Sequence, residues 1–359
     1  MKSKLVLSFV ASFLMLQVFA QIPTNNPKAQ KILLSNGWSL MPAGRSLPLG
    51  DLPLNMALSP SNKLLAVTNN GQSTQTIQLI DPKSEKILDE KPIAESWYGL
   101  TFSDDGKKLY VSGGNDNIIL IYPVINQKLG DPSIIKLGEK WPNKISPAGI
   151  AVNDRAQILY TVTKENNSLY VVDLKSKKVL NQVELGAEAY DCILSPDKKT
   201  LYISLWGADE VAVFDTQSKK IISKIKTENR PNELCLNKKG TVLFVANSGD
   251  NSVSVINTAK KKVIEVISAS ISSTKLTGST TNGLALSSDE KSLFIANADN
   301  NCLAVFDVET PGKSFSRGFI PTGWYPTNVK SFGQKIFVCN GKGFTSLPNP
   351  NGPKPISKT

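Results

Sequence analysis

The sequence of 359 residues contains no histidine. Histidine is the commonest general base and the commonest transition-metal ligand in proteins. Its absence excludes histidine-ligated zinc, copper or haem chemistry and a Ser-His-Asp triad within this chain. The Asn- and Asp-rich stretches 113–117, 247–251 and 297–301 carry too few carboxylates for calcium, and side-chain-capped turns explain them. We therefore predict no metal site, no cofactor and no catalytic residue.

Cysteine is also scarce. The four cysteines are Cys192, Cys235, Cys302 and Cys339. They show neither CxxC spacing nor the density of a disulfide-stapled domain. Cys192 and Cys235 are one register step apart in neighbouring repeats, which directs them to opposite faces of their strands. We expect structural thiols, with Cys339 as a small buried side chain.

Long apolar runs are missing beyond the first 20 residues. Residues 1–20 combine a basic start at Lys2 and Lys4 with an apolar stretch and small residues at Val18 and Ala20. This pattern is typical of a secretory signal peptide, although a retained membrane anchor is the alternative. We expect an exported protein, periplasmic or secreted, with no membrane span once the signal is cleaved.

A repeated phrase is the strongest signal in the chain. The stretch ALSPSNKLLAVTNN (57–70) recurs in related form, and a shortened copy occupies 329–341. Its anchor residues are Leu65, Leu109, Leu159, Leu201, Leu243, Leu293 and Ile336, with gaps of 44, 50, 42, 42, 50 and 43 residues. A period of about 40–45 residues with several short alternating strands per unit is typical of β-propeller blades.

The predicted fold class is therefore all-β, a seven-bladed β-propeller of four-stranded blades. Residues 327–340 provide two strands, and the N-terminal stretch 38–49 is expected to complete this last blade and close the ring. Six or eight blades stay open as alternatives if the stretch 31–34 or one weak repeat is misread. The predicted domains are a signal peptide (1–20), a lead-in (21–37), the propeller (38–343) and a Pro-rich tail or linker (344–359).

Strand alternation sorts the loops onto two faces. The first and third turns of every blade share one face, which we call the lysine face because more than half of the 41 basic residues map to it. Representative members are Lys107, Lys108, Lys198, Lys199, Lys219, Lys220, Lys238 and Lys239. Such a face favours polyanions or nucleic acid, but lysine is also the ordinary solubilising residue of hairpin turns. No aromatic residues interleave with these lysines, as stacking on single strands requires.

The opposite face, here the aromatic face, carries the second turns and the connections between blades. Both long insertions, 138–146 and 268–280, open onto this face, and long loops on a rigid scaffold often carry binding sites. Asn55 and Asn328 are further candidates near the channel mouth, and Arg230 is suited to an anionic ligand group. The predicted ligand-binding residues are Trp97, Tyr98, Trp141, Tyr190, Trp206, Arg230, Asn232, Asn282, Trp324 and Tyr325. The alternative is that these aromatic residues only fill gaps between blades.

The repeats resemble a known family. LYVSGG, LYISLW, LFVANSGDNSVSVIN and LFIANADNNCLAVFD are similar to the YVTN repeats of exported YncE-like seven-bladed propellers. The segments 34–60, 322–329 and 340–353 resemble the propeller half of proteins in which an alkaline-phosphatase-superfamily phosphoesterase domain follows the propeller. That resemblance implies that the phosphoesterase nucleophile and metal ligands belong to a domain beyond this sequence, either lost from a two-domain protein or absent from a stand-alone propeller.

We expect a non-catalytic propeller that binds a ligand or a partner through the aromatic face. One alternative is a polyanion- or DNA-binding propeller that uses the lysine face. Another is a propeller enzyme of the lactonase or amine-dehydrogenase-subunit type. A lactonase needs acidic residues that converge in the channel, and the sequence gives no sign of them.

Overall fold

Short antiparallel strands joined by tight turns form nearly all of the regular structure. The computed structural model describes residues 32–34, 37, 39–140, 142–272 and 278–343. The predicted signal peptide, most of the lead-in, Trp141 and the tail at 344–359 lie outside the described residues. Among the helices of the described ranges, none is both long and apolar enough to cross a membrane.

Within the described residues, six sheets of four or five strands follow one another in chain order. Before them, a small hairpin contains β1 (Ile32–Leu33) and β2 (Ser39–Leu40). Blade 1 contains β3 (Pro53–Leu58), β4 (Leu65–Asn69), β5 (Thr76–Asp81) and β6 (Lys86–Pro92). Blade 2 contains β7 (Leu100–Phe102), β8 (Lys108–Ser112), a 3-10 turn (Gly114–Asp116), β9 (Ile118–Ile125), the short β10 (Lys128–Leu129) and β11 (Ser133–Lys136). Blade 3 contains β12 (Pro147–Asn153), β13 (Ile158–Thr163), β14 (Ser168–Asp173) and β15 (Lys178–Glu184).

The second half of the chain repeats the same plan. Blade 4 contains β16 (Cys192–Leu194), β17 (Thr200–Leu205), β18 (Glu210–Asp215) and β19 (Lys220–Lys226). Blade 5 contains β20 (Pro231–Leu236), β21 (Val242–Asn247), β22 (Ser252–Asn257) and β23 (Lys262–Ser268). Blade 6 contains β24 (Thr281–Leu286), β25 (Ser292–Asn297), β26 (Cys302–Asp307) and β27 (Phe315–Pro321). The closing hairpin contains β28 (Pro326–Phe332) and β29 (Lys335–Asn340).

The repeat anchors form the core between blades. The six anchor leucines are at most 1% exposed, and they pack with the second and third strands of adjacent sheets. Burial of each such side chain contributes about 1.5–3 kcal/mol. Ile336, the anchor of the shortened repeat, is only half-buried because its hairpin lacks outer strands. Cys339 is buried as predicted, and all four cysteines are free.

The first strands of all repeats form a closed inner ring around the channel. Each inner strand contacts the next in the order β3, β7, β12, β16, β20, β24 and β28, and β28 contacts β3 again. The Thr327 hydroxyl donates a hydrogen bond to the carbonyl of Pro53 at this closure. The ring is thus closed by inner strands, without a complete final blade.

The prediction of seven four-stranded blades is wrong, since the described residues form six blades and a two-stranded closing hairpin. Within the stretch 38–49, Ser39–Leu40 pairs with Ile32–Leu33 instead of β29. Pro42 and Pro48 lack the N–H group that a strand ladder requires. Leu47 and Leu49 still pack against the core beside Cys339, so the stretch covers the hairpin without extending its sheet.

Close approach of neighbouring inner strands requires glycine at Gly149. A Cβ there would lie 2.6 Å from the Cα atom of Asp191 and 2.7 Å from the nitrogen of Cys192. Because both atoms belong to backbone, Gly149→Ala must push β12 and β16 apart. We expect a loss of about 1–3 kcal/mol in the free energy of unfolding, measured by urea denaturation. An unchanged denaturation midpoint would contradict close packing of β12 against β16.

Candidate ligand site at the channel mouth

Several connections on the aromatic face reach their inner strand through a left-handed residue. Arg230 and Tyr325 have φ angles of 56° and 62°, and each precedes a proline. The backbone nitrogen of Arg230 donates to Asp209 Oδ1 at 2.9 Å, and that of Tyr325 donates to Asn301 Oδ1 at 2.9 Å. The left-handed conformation is unfavourable for non-glycine residues, so it persists only where surrounding contacts hold the residue. Such residues are often found at functional sites.

Three cations cover aromatic rings on this face. The Arg230 guanidinium lies 4.8 Å from the centre of the Trp206 ring. Lys342 Nζ lies 5.4 Å from the Trp324 ring and 4.4 Å from the Tyr325 ring. Lys164 Nζ similarly covers Trp97 at 5.3 Å. The aromatic face therefore presents positive charge supported by aromatic rings, which suits a ligand with an anionic group.

The predicted site residues fall into two groups. Trp97 packs against the core of blades 3 and 4, as the gap-filling alternative expects, and its buried indole N–H has no hydrogen-bond partner among the described residues. Arg230 is exposed, whereas Trp206 and Trp324 are half-buried beneath Arg230 and Lys342.

The second group lies at the channel. The rings of Tyr98 and Tyr190 are 4.5 Å apart, although they come from blades 2 and 4. Asn282 hydrogen-bonds with the Tyr325 hydroxyl and accepts from Asn232 Nδ2 at 3.3 Å. The structure brings these residues close together, whereas Trp141 lies outside the described residues.

One position of the inner strands defines what we call the channel ring. Asn55 pairs with Thr68 and Asn328 pairs with Cys339, which is the same position of the repeat. The members of the channel ring are Asn55, Gly99, Gly149, Asp191, Glu233, Gly283 and Asn328. Asn232 and Asn282 lie one residue before this position and are not members of the channel ring. The ring thus has polar side chains at four positions and glycines at the other three, where neighbouring inner strands approach closely.

Charged side chains meet in this ring. Because Gly283 has no side chain, Glu233 reaches past β24 to the closing hairpin. Glu233 Oε1 accepts a hydrogen bond from Lys330 Nζ at 2.7 Å, and Oε2 accepts from Asn328 Nδ2 at 2.9 Å. Asp191 uses its two oxygens to accept from the backbone nitrogens of Cys192 and Leu234, at 2.8 Å and 3.1 Å.

Asp191, Glu233 and Lys330 were not expected from the sequence, and the expectation that no acidic residues converge in the channel is wrong. Burial, together with the nearby Glu233 carboxylate, raises the pKa of Asp191 to about 7. Burial opposes the charge of Lys330, but the Glu233 carboxylate outweighs it and holds the pKa of Lys330 above its ordinary value. Burial and the charges of Asp191 and Glu233 raise the pKa of both Tyr98 and Tyr190. The two tyrosines are therefore neutral hydrogen-bonding groups near neutral pH.

The composition of this cluster suits binding of an organic ligand better than binding of a metal ion. Across the described ranges, no three acidic or cysteine side chains approach closely enough to hold a metal ion. Two carboxylates, one ammonium group and two tyrosine rings provide charge, hydrogen bonds and aromatic surface instead.

The lysine face mixes both signs of charge. Lys198 forms an ion pair with Asp104 at 3.4 Å, and Lys238 Nζ donates to the carbonyl of Ser288. Acidic turn residues such as Asp197 alternate with the lysines, and hydrogen bonds from Ser195 and from the Lys199 nitrogen lower the pKa of Asp197. The remaining predicted members of this face make no ion pair within the described part of the chain: Lys107, Lys108, Lys199, Lys219, Lys220 and Lys239.

Comparison with known proteins identifies the family. A family model described as YncE-like β-propeller matches residues 29–270. The chain belongs to the YncE-like β-propeller family. No curated protein matches this YncE-like propeller in sequence.

Solved structures share the fold at low sequence identity. One is hydrazine synthase of Kuenenia stuttgartiensis, with 16% identity and a TM-score of 0.65 over 83% of this chain and 95% of that one. Another is the structure of U3-55K, with 14% identity and a TM-score of 0.69 over 85% of this chain and 93% of that one. At such identities the likeness concerns the propeller fold alone.

Proposed function

We propose that this YncE-like propeller is a non-catalytic ligand-binding module. Its ligand combines a planar apolar part with an anionic group, and it binds on the aromatic face around Trp206, Arg230, Trp324 and Tyr325. The observation that carries the proposal is the state of Arg230. Its guanidinium is exposed, lies on the Trp206 ring and makes no ion pair with the described residues.

The backbone of Arg230 is held as a binding residue needs to be. Its nitrogen donates to Asp209, while its carbonyl accepts from the Ser248 nitrogen at 2.9 Å and from the Ser248 hydroxyl at 3.0 Å. A fixed guanidinium loses little freedom when it meets an anion, and its planar fork matches a carboxylate or phosphate. Rigid aromatic neighbours add contact area at low entropic cost.

Three other predictions come from the sequence alone. Export to the periplasm or outside the cell is inferred from residues 1–20. Pairing with a phosphoesterase domain is inferred from the resemblance of segments 34–60, 322–329 and 340–353. Binding of polyanions by the lysine face stays a prediction, and the acids interleaved with its lysines weaken it.

Arg230→Gln tests the proposed site, with benzoate and benzamide as probes that differ in charge at the same shape. We expect wild-type protein to bind benzoate about tenfold more tightly than benzamide in calorimetric titrations, because one charge-assisted contact adds roughly 1.5 kcal/mol. Arg230→Gln should remove this preference, and Lys199→Gln on the lysine face should leave it intact. Equal affinities of wild-type protein for both probes, or an unchanged preference in Arg230→Gln, would contradict the proposal.

A further inference from the structure

The channel ring contains more negative charge than the protein itself balances. Glu233 forms an ion pair with Lys330 at 2.7 Å, and the charges of both groups act on the nearby Asp191. Glu233 is 4% exposed, so water compensates little of its charge. When both carboxylates are ionised, the cluster carries one net negative charge.

An unsatisfied acceptor belongs to the same ring. Asn328 is fully buried, and its side-chain oxygen has no hydrogen-bond partner among the described residues. The amide nitrogen of Asn328 is bound to Glu233 Oε2, so the oxygen of that amide lies beside the Glu233 carboxylate. A buried acceptor without a partner is unfavourable unless a donor reaches it.

Aromatic surface adjoins this cluster. The Tyr98 and Tyr190 rings lie 4.5 Å apart at an angle of 46°, and the charges of Asp191 and Glu233 act on both rings. Carboxylates, an amide oxygen and tyrosine rings together are the groups that recognise an organic ammonium ion. A divalent metal fits poorly, since the described residues lack the third acidic ligand.

We propose that the channel ring binds a primary ammonium group, held by Asp191, Glu233 and the free oxygen of Asn328 beside Tyr98 and Tyr190. The inference rests on the proposed function, because the ligand enters through the aromatic face. Arg230 and Glu233 lie three residues apart on one chain segment, which spans at most about 10 Å of backbone. The ligand is therefore zwitterionic, with its anionic group at Arg230 and its ammonium group deeper in the channel.

The first experiment compares 4-(aminomethyl)benzoate with 4-methylbenzoate by calorimetry on wild-type protein. The two probes differ in the ammonium group, and we expect the amine to bind about tenfold more tightly. Equal affinities would overturn the ammonium site and leave the proposed function standing. Failure of both probes to bind would overturn the two proposals together.

Variants of the two carboxylates test which groups produce the higher affinity for the amine. Glu233→Gln and Asp191→Asn should each remove the preference for the amine while 4-methylbenzoate binds as before. Glu210→Gln is the control, because Glu210 pairs with Lys224 at 3.6 Å on the outer strands of blade 4. If Glu233→Gln does not fold, Asp191→Asn and the wild-type comparison still decide. A preference that survives in a folded Asp191→Asn or Glu233→Gln protein would contradict the assignment.

Proton release gives a second readout without variants. An ammonium ion beside Asp191 favours its ionised form, so titrations at pH 7 in two buffers of different ionisation enthalpy should show proton release with 4-(aminomethyl)benzoate. A parallel competition titration with Nα-acetyllysine amide distinguishes a peptide lysine from a free small amine as the ligand. Competition between the amines indicates that a peptide lysine also fits, and lack of competition indicates a free small amine. Absence of proton release would count against contact with Asp191.

Discussion

Lys330→Met is expected to lower the free energy of unfolding by about 3–5 kcal/mol. The substitution keeps the length of the side chain but removes the ammonium group that lies 2.7 Å from Glu233 Oε1. Glu233 is then left buried with an uncompensated charge, since its remaining bonds come from the neutral donors Asn328 and Leu284. Urea denaturation at pH 7 measures the loss.

A double-mutant cycle separates loss of the pair from loss of packing. Lys330→Met combined with Glu233→Gln should recover much of the stability, because no unpaired charge remains. Lys291→Met is the matched control, since Lys291 and Glu309 form a similarly short pair, 2.6 Å apart, but both side chains are more than half exposed. It should leave the denaturation midpoint unchanged within error. Similar losses for Lys330→Met and Lys291→Met would contradict a buried cluster in the channel.

Asp191→Asn is expected to change how stability depends on pH. The pKa of Asp191 is raised in the folded protein to about 7, so folded protein binds a proton that unfolded protein has released above about pH 4. The contribution of protonated Asp191 to the free energy of unfolding is complete below pH 4 and is lost as pH rises through 7. The loss reaches about 4 kcal/mol in wild-type protein and is absent in Asp191→Asn.

The measurement compares wild-type protein and Asp191→Asn by denaturation from pH 4 to pH 8. Groups that titrate equally in both proteins cancel in the difference. The groups that face Asp191 and share its environment are Glu233, Lys330, Tyr98, Tyr190 and Cys192. A difference in stability that stays constant across this range would show that Asp191 is solvated like an ordinary surface carboxylate.

The repeat pattern predicted most of the fold. Blade 4, around the anchor Leu201, has the several short strands per unit that the period predicts, among them Thr200–Leu205, Glu210–Asp215 and Lys220–Lys226. The number of blades was overestimated at the join of the two ends. There the outcome depends on whether 38–49 pairs with β29 or with Ile32–Leu33, which periodicity does not decide.

The site was predicted in part. Aromatic residues and Arg230 stand out in the sequence because their types are unusual in turns. Asp191, Glu233 and Lys330 do not, because they lie in different repeats and meet through the ring alone. Alignment of the inner strands one position further would have shown the polar series of the channel ring. The bulges that set this alignment are visible in the hydrogen bonding but leave no mark in the pattern of apolar residues.

Fluorine NMR of protein labelled with 5-fluorotryptophan tests the central claim most directly. The chain has five tryptophans, and Trp→Phe variants assign their signals. Titration with benzoate should shift the signal of Trp206, which lies under Arg230, and Arg230→Gln should abolish that shift. A Trp206 signal that does not move while benzoate binds elsewhere would contradict a ligand site on the aromatic face.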